Sequence, residues 1–247
     1  MSIESSADLD GLVRVGKVVA ATLKAMVAYV RPGVSTAEVD DVGARVLSQH
    51  GARPAPQIFY GFPGVNLISV NDEVVHGVPD ERVLRPGDLV SLDVTAELDG
   101  YIADAATTIP LAPYSATAER LCRSARTAFE KAAAVARAGR PINCIGKAVE
   151  REVGQRGFTV LNELAGHGTG RRIHEDPVVS NVYDPADTQP LTEGLVLTIE
   201  PLIAERSHKV FTDDDGWTLR TAGGDLSAHY EHTLVITEGR PILLTAA

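Results

Sequence analysis

Apolar residues recur at helical spacing from residue 7 to residue 30, and the pattern stops at "RPGVS", where Pro32 and Gly33 break it. Ser35 followed by Glu38 carries the signature of a capping box and opens a second helix that ends near Gly51. Residues 52–64, "ARPAPQIFYGFPG", are rich in Pro, Gly and aromatics and predict a loop of fixed turns. A strand follows at "VNLISVN". Residues 89–110, "LVSLDVTAELDGYIADAATTIP", then read as two strands around Asp99-Gly100, a strong hairpin signal. Helical patterns return at 115–138 and 143–157, the latter closing at Gly157, and strands are expected in "GLVLTIEPLI", "GWTLRTA" and "AHYEHTLVIT".

The second half repeats the order of the first. Setting residues 30–51 over 136–157 aligns Arg31 with Arg137, Gly33 with Gly139, Val39 with Ile145 and Gly51 with Gly157, at a constant offset of 106. The shared order of helix, break, helix and strand points to two related α/β halves. Two unrelated pairs of amphipathic helices would match as well. No stretch between the halves reads as a linker.

Composition narrows the setting. A chain of 247 residues with 44% hydrophobic content can bury a full core. The formal net charge of -10 argues against nucleic acid or an anionic membrane as the main partner. The first residues lack the basic and apolar regions of a secretory signal, and no run approaches the roughly 20 apolar residues needed to cross a bilayer. A cytoplasmic location is expected. Cys122 and Cys144 lie in helical patterns without metal-ligand spacing and read as reduced structural thiols.

The hairpin raises a chemical question, because Asp93 and Asp104 both interrupt apolar runs. A two-residue turn pairs Leu98 with Tyr101, sets Asp104 opposite Thr95 and brings both carboxylates to one face. A three-residue loop would send them to opposite faces. Two buried like charges raise each other's pKa unless a cation lies between them. His167 stands among glycines in "AGHGTGRRIHEDP", Glu200 interrupts "VLTIEPLI", and Glu231 interrupts "SAHYEHTLVIT". Each alone has an ordinary account as a bonded loop imidazole, an Arg partner or a strand end. Together they form an oxygen-rich set with one imidazole, suited to one or two ions of Mn, Fe, Co or Zn held by bridging carboxylates. A structural zinc site would favour Cys and His. Two adjacent ions would hold a shared water as hydroxide near neutral pH.

The ordered motifs "NDEVVHGVPD", "GDLVSLDV" with Asp104 eleven residues after Asp93, "GHGTGRRIHEDP", "TIEP" and "DGWTLRTAGGDLSAHYEHT" resemble those of the type I methionine aminopeptidases, in their short, catalytic-domain-only form. The resemblance runs over nearly the whole chain. It implies an α/β (α+β) chain with the pita-bread fold, in which two pseudo-symmetric halves carry helices outside a curved antiparallel sheet. Residues 1–247 would then be a single metallo-aminopeptidase domain, with an internal pseudo-repeat at roughly 7–110 and 115–240. Two divalent metal ions are implied. Asp93 and Asp104 would serve both, His167 and Glu200 one of them, and Glu231 would bridge. The resemblance further gives His76 a place beside the scissile amide, His174 a contact with the substrate carbonyl oxygen, and Glu200 the transfer of a proton to the departing amine. The implied activity is removal of initiator methionine from nascent proteins and peptides with a small second residue. The implied setting is a monomer working near translating ribosomes, with neither nucleic acid nor membrane as partner.

The pocket for the methionine side chain would be formed by Phe59, Phe62, Leu67, Ile173 and Trp217. Here the chain departs from the family pattern, which commonly has Tyr at 59 and 62, Cys or Thr at 67, and Phe at 173. His229 also stands where Gln is usual. These departures suggest a divergent copy with altered substrate or inhibitor sensitivity. The rival readings are an X-Pro aminopeptidase or prolidase-like enzyme, which shares the fold and ligands, and a binding protein that retains the site.

Overall fold

In the computed structural model, which describes residues 1–246, helix α1 spans Ser6–Tyr29. The Ser5 hydroxyl accepts from the Asp8 N–H at its start, and its inner face carries Leu12, Val15, Val19, Leu23 and Met26. Helix α2, Thr36–Gln49, opens with both bonds of the Ser35–Glu38 capping box in place. The next segment departs from the expected loop. It holds a short strand, β1 (Arg53–Pro54), and a six-residue helix, α3 (Ala55–Tyr60), ended by Gly61 at φ 70°. Proline is tolerated in a first helical turn because that N–H has no intrahelical partner, so the residues read as breakers instead start and stop a helix.

Strands β2 (Leu67–Val70), β3 (Glu73–Val75), β4 (Leu89–Leu98) and β5 (Tyr101–Pro110) complete the first half. β4 and β5 form the expected hairpin with Leu98 paired to Tyr101 and Thr95 to Asp104. Asp99 and Gly100 both have positive φ, 54° and 81°, as a tight turn matched to the strand twist requires. The second half begins with α4 (Ala116–Val135) and α5 (Asn143–Gln155), followed by β6 (Thr159–Val160), β7 (Ala165–Gly168) and β8 (Glu175–Ser180). The single strand expected in "GLVLTIEPLI" is two, β9 (Val196–Ile199) and β10 (Leu202–Ala204), because Pro201 has no N–H to continue the ladder. β11 (Val210–Thr212), β12 (Leu219–Thr221), β13 (Ser227–Val235) and β14 (Ile242–Leu243) follow.

The main sheet is antiparallel and runs β1-β4-β5-β13-β9-β7-β8, with β2 added on β4, β10 and β14 on β13, and β6 on β10. The pair α1/α2 covers the first-half strands through Val15, Met26, Leu47, Val90 and Leu92. The pair α4/α5 covers the second half through Leu121, Phe129, Ile145, Val149 and Leu197. Gly33 and Gly139 end the first helix of each pair's connection at φ 94° and 81°, and Gly51 and Gly157 follow the second helices at 68° and 77°. These are left-handed positions that cost any other residue strain. Strand β13 joins the halves, pairing with β5 on one side and β9 on the other.

Candidate metal centre

Register builds the centre. Asp93 on β4 lies opposite Ala106 on β5, and Ala106 lies opposite Glu231 on β13, so the three share one row across the sheet. Paired residues point to the same face, and the single methyl of Ala106 leaves space between the flanking carboxylates. Leu67 on β2 extends the row on the far side of Asp93. One row along, Asp104 faces Thr95 and is tied to β13 by the Thr233 hydroxyl, which accepts from its N–H and donates to its carbonyl, both at 2.8 Å.

The second half supplies Glu231 from the regular ladder of β13, and His167 and Glu200 where strands falter. His167 sits on β7 at a register shift against β8. Gly168 is needed there, since a Cβ would stand 2.1 Å from the Asp176 carbonyl oxygen. The Nδ1 of His167 lies 3.0 Å from the Gly168 carbonyl. Donation from that nitrogen leaves Nε2 with a free lone pair, the form in which an imidazole binds metal. Nε2 is 3.4 Å from Glu200 Oε1. Glu200 follows β9 at the break before Pro201, and its Oε1 accepts from the Thr198 hydroxyl at 3.0 Å.

Burial, followed by mutual repulsion, sets the electrostatics. Asp93 and Glu231 are raised well above the usual carboxylate range by desolvation and then by neighbouring acids, Asp104 foremost. Glu200 is raised well for the same reasons, and desolvation carries Asp104 up to about 6. Desolvation also lowers His76 and His167 to about 4, and lowers His174. No Lys or Arg lines the cavity above the four acids. Asp93 Oδ1, Asp104 Oδ1 and Glu231 Oε1 are buried without a hydrogen-bond partner. Buried acceptors and uncompensated charge of this kind call for a cation. The donor set fits a divalent ion: ligand atoms of Asp104, His167 and Glu231 all lie within 4.8 Å of one another.

The cavity is about 400 Å³. Phe62, Leu67, Ile173 and Trp217 line it, with Phe62 and Trp217 in edge-to-face contact at 5.3 Å. Phe59, expected among them, does not line it. It stands exposed on α3, and the next residue, Tyr60, takes the place. Successive helical residues point about 100° apart, so reading residues 52–64 as a loop hid which aromatic faces inward. Tyr60 Oη lies 2.6 Å from His174 Nδ1, and the His174 and His167 rings are 4.3 Å apart. His76 lines the cavity at φ 61°, a left-handed conformation unusual for a residue with a side chain. His229 also lines it.

Comparison with known proteins follows this geometry. The model of metallopeptidase family M24 matches residues 10–238. Methionine aminopeptidase 2 of Bacillus subtilis is 41% identical over 247 residues, covering 99% of each chain. The crystal structure of a methionine aminopeptidase from Thermotoga maritima aligns with a TM-score of 0.97 at 32% identity over 100% of both chains. A prolidase from Pyrococcus furiosus aligns with a TM-score of 0.81 at 21% identity over 99% of this chain and 65% of its own, a likeness of fold.

Proposed function

Since this chain belongs to metallopeptidase family M24, and its near relatives match it end to end, we propose that it is a methionine aminopeptidase that hydrolyses the first peptide bond after an N-terminal methionine. The fold is the pita-bread fold. The observation that carries the reading is a cluster of four carboxylates with no Lys or Arg beside it, lying beneath a cavity with an aromatic and aliphatic wall. Proline-directed cleavage is not favoured, because the likeness to prolidase is one of fold.

Asp93, Asp104, His167, Glu200 and Glu231 would hold two divalent ions, of which Co, Mn, Fe and Zn are candidates. Bound there, such ions acidify water and polarise the substrate carbonyl. Phe62, Leu67, Ile173 and Trp217 offer an uncharged slot for the methionine side chain. Leu67 stands directly beside Asp93, so its bulk sets the floor of that slot. With Tyr60 donating to Nδ1, the His174 proton sits on Nε2, where it can donate to the developing oxyanion. His76, held into the cavity by its backbone, is placed to hydrogen-bond near the scissile amide. Glu200, ionised when it holds a metal, is placed to take up a proton from the attacking water and pass it to the leaving amine.

Peptides and nascent chains with a small second residue are the proposed substrates. One copy supplies every proposed ligand, so a monomer suffices for the proposed activity. Residues 1–247 act as one catalytic unit built from related halves, roughly 7–110 and 115–240, a reading supported by the four equivalently placed left-handed glycines. Cytoplasmic residence is supported by two free thiols, and among the described residues no helix is long and apolar enough to cross a membrane.

The test is methionine release from Met-Ala-Ser beside Leu-Ala-Ser and Ala-Pro, in apo, Mn, Co and Fe forms, with Asp104→Ala as control. Release from the Met peptide alone, dependent on metal and on Asp104, is expected. Intact peptides with every metal would overturn the reading.

A further inference from the structure

His229 has no role in the site as described. It sits on β13 two residues before Glu231, so both side chains leave the strand on the same face. The imidazole is 1% exposed, and neither ring nitrogen has a hydrogen-bond partner. Its main chain is fixed by Thr108, whose hydroxyl accepts from the His229 N–H at 2.8 Å and donates to its carbonyl at 3.0 Å. The backbone, rather than any side-chain bond, therefore aims the ring. Two buried nitrogens left unpaired carry a desolvation cost that some further group must offset.

The position of the ring suggests which group. Nε2 lies 3.4 Å from Glu231 Oε2 and 3.6 Å from Glu200 Oε2. These separations are long for hydrogen bonds. The Glu231 separation matches the spacing of two ligands on one ion, since metal–ligand bonds of about 2.0–2.2 Å at tetrahedral or octahedral angles set neighbouring donors roughly 3.0–3.5 Å apart. A carboxylate oxygen of Asp93, a ring nitrogen of His229 and a carboxylate oxygen of Glu231 all lie within 4.8 Å of one another, as do those of Asp104, His167 and Glu231. Glu231 belongs to both trios, and each trio holds one Asp and one His.

We propose that His229 donates a ring nitrogen to the ion held by Asp93 and Glu231, so that each ion of the pair has an imidazole ligand. This rests on the two-metal reading above. A nitrogen donor at a position otherwise made of oxygens shifts preference along the divalent series toward Co, Ni and Zn and away from Mn.

The experiment compares wild type, His229→Gln and Asp104→Ala, each stripped of metal and checked for native circular dichroism. Co²⁺, Zn²⁺ and Mn²⁺ binding is followed by calorimetry, and X-ray absorption counts imidazoles on the Co²⁺-loaded proteins. Wild type should bind two Co²⁺ with an average of one imidazole per ion. In His229→Gln the average should fall to one half, and one binding step should weaken at least about 10-fold, the low end of what even an outer-shell partner is worth. Mn²⁺ should weaken less. A wild-type average of one half, or unchanged Co²⁺ affinities in folded His229→Gln, would overturn the assignment while leaving the two-metal reading intact. Absence of Co²⁺ binding by wild type, or two unaltered steps in Asp104→Ala, would overturn both. Should His229→Gln fail to fold, the wild-type imidazole count decides alone.

Discussion

Apart from Glu231, which sits in the regular ladder of β13, the two halves of the molecule bring their proposed ligands to one centre by different means. The first half places Asp93 and Asp104 inside an unbroken hairpin of two ten-residue strands, where pairing alone decides which way each carboxylate faces. The second half places His167 at a register shift and Glu200 at a strand break before Pro201. A regular ladder gives position without local strain but depends on register along its whole length. An interrupted ladder aims a single side chain and depends on the residues at the break. The same helix-pair architecture thus supports two different ways of building a site.

Inserting one residue between Asp99 and Gly100 should break the comparison most sharply. The insertion sends Asp104 to the other face, and Co²⁺ binding by calorimetry and methionine release should both be lost, while the helical circular dichroism of α4 and α5 persists. Retained metal binding would show that register is not what positions Asp104. Within the interrupted half, Glu200→Gln should lower kcat about 10²–10⁴-fold, the usual worth of a positioned proton carrier. His174→Ala should lower it about 10²–10³-fold, as for loss of one oxyanion donor. Tyr60→Phe should cost about 10-fold in kcat with KM little changed, in line with losing a supporting hydrogen bond.

Acidity separates the imidazoles from the carboxylates as well. His167 is held near 4 and His229 near 3 by burial, so neither carries a proton at pH 6, whereas Asp93, Glu200 and Glu231 are raised well and Asp104 lies near 6. Ligand protons released by Co²⁺ binding at pH 6 should therefore come from the carboxylates and none from the histidines, and apparent affinity should rise with pH. Stability of the apo protein has a definite sign. Raised carboxylates favour the folded state at pH values below their unfolded pKa of about 4, and that contribution is lost as pH climbs through the raised values. The lowered histidines act in the opposite sense, losing stability as pH falls below their ordinary 6.5. Above that value the neutral histidines add no slope, and the groups with raised pKa, the buried carboxylates and Cys122 among them, set its sign. The Tm of the apo protein should fall with rising pH there, and loading with Co²⁺ should flatten the curve in calorimetric scans.

The smallest effects sharpen the likeness of the halves. Gly33 and Gly139 have positive φ and open space where a Cβ would lie. Alanine at either should cost about 1–2 kcal/mol through backbone strain alone. The two Tm losses should agree to within a degree or two. Unequal losses would show that the connections are not equivalent.

Much of this was legible in the chain. Asp99-Gly100 set the turn, the turn set the register, and the register put two acids on one face. Ser35 and Glu38 announced a helix start that the structure keeps. Other features depended on three-dimensional neighbours. The cavity face of α3 is chosen by packing, so Tyr60 could not be told from Phe59 by composition. The pull of Pro201 on its strand is local and visible, but the ligand spacing around Glu231 involves residues as distant in sequence as Asp93 and Asp104. His229 stood out as a departure from the family pattern, and only its depth and unpaired nitrogens give that departure a chemical meaning.

Strand β13 has a consequence for the order in which the molecule is made. It is the strand that pairs with β5 and β9 at once, and it carries His229 and Glu231. During synthesis the hairpin emerges more than a hundred residues earlier, with Asp93 and Asp104 in place but no partner strand beside β5. The sheet therefore closes late and through contacts distant in sequence, which slows folding and leaves an open strand edge in the interim. A chain cut short before residue 227 would lack Glu231 and His229 and keep an exposed edge, so a complete centre arrives only when β13 joins the halves.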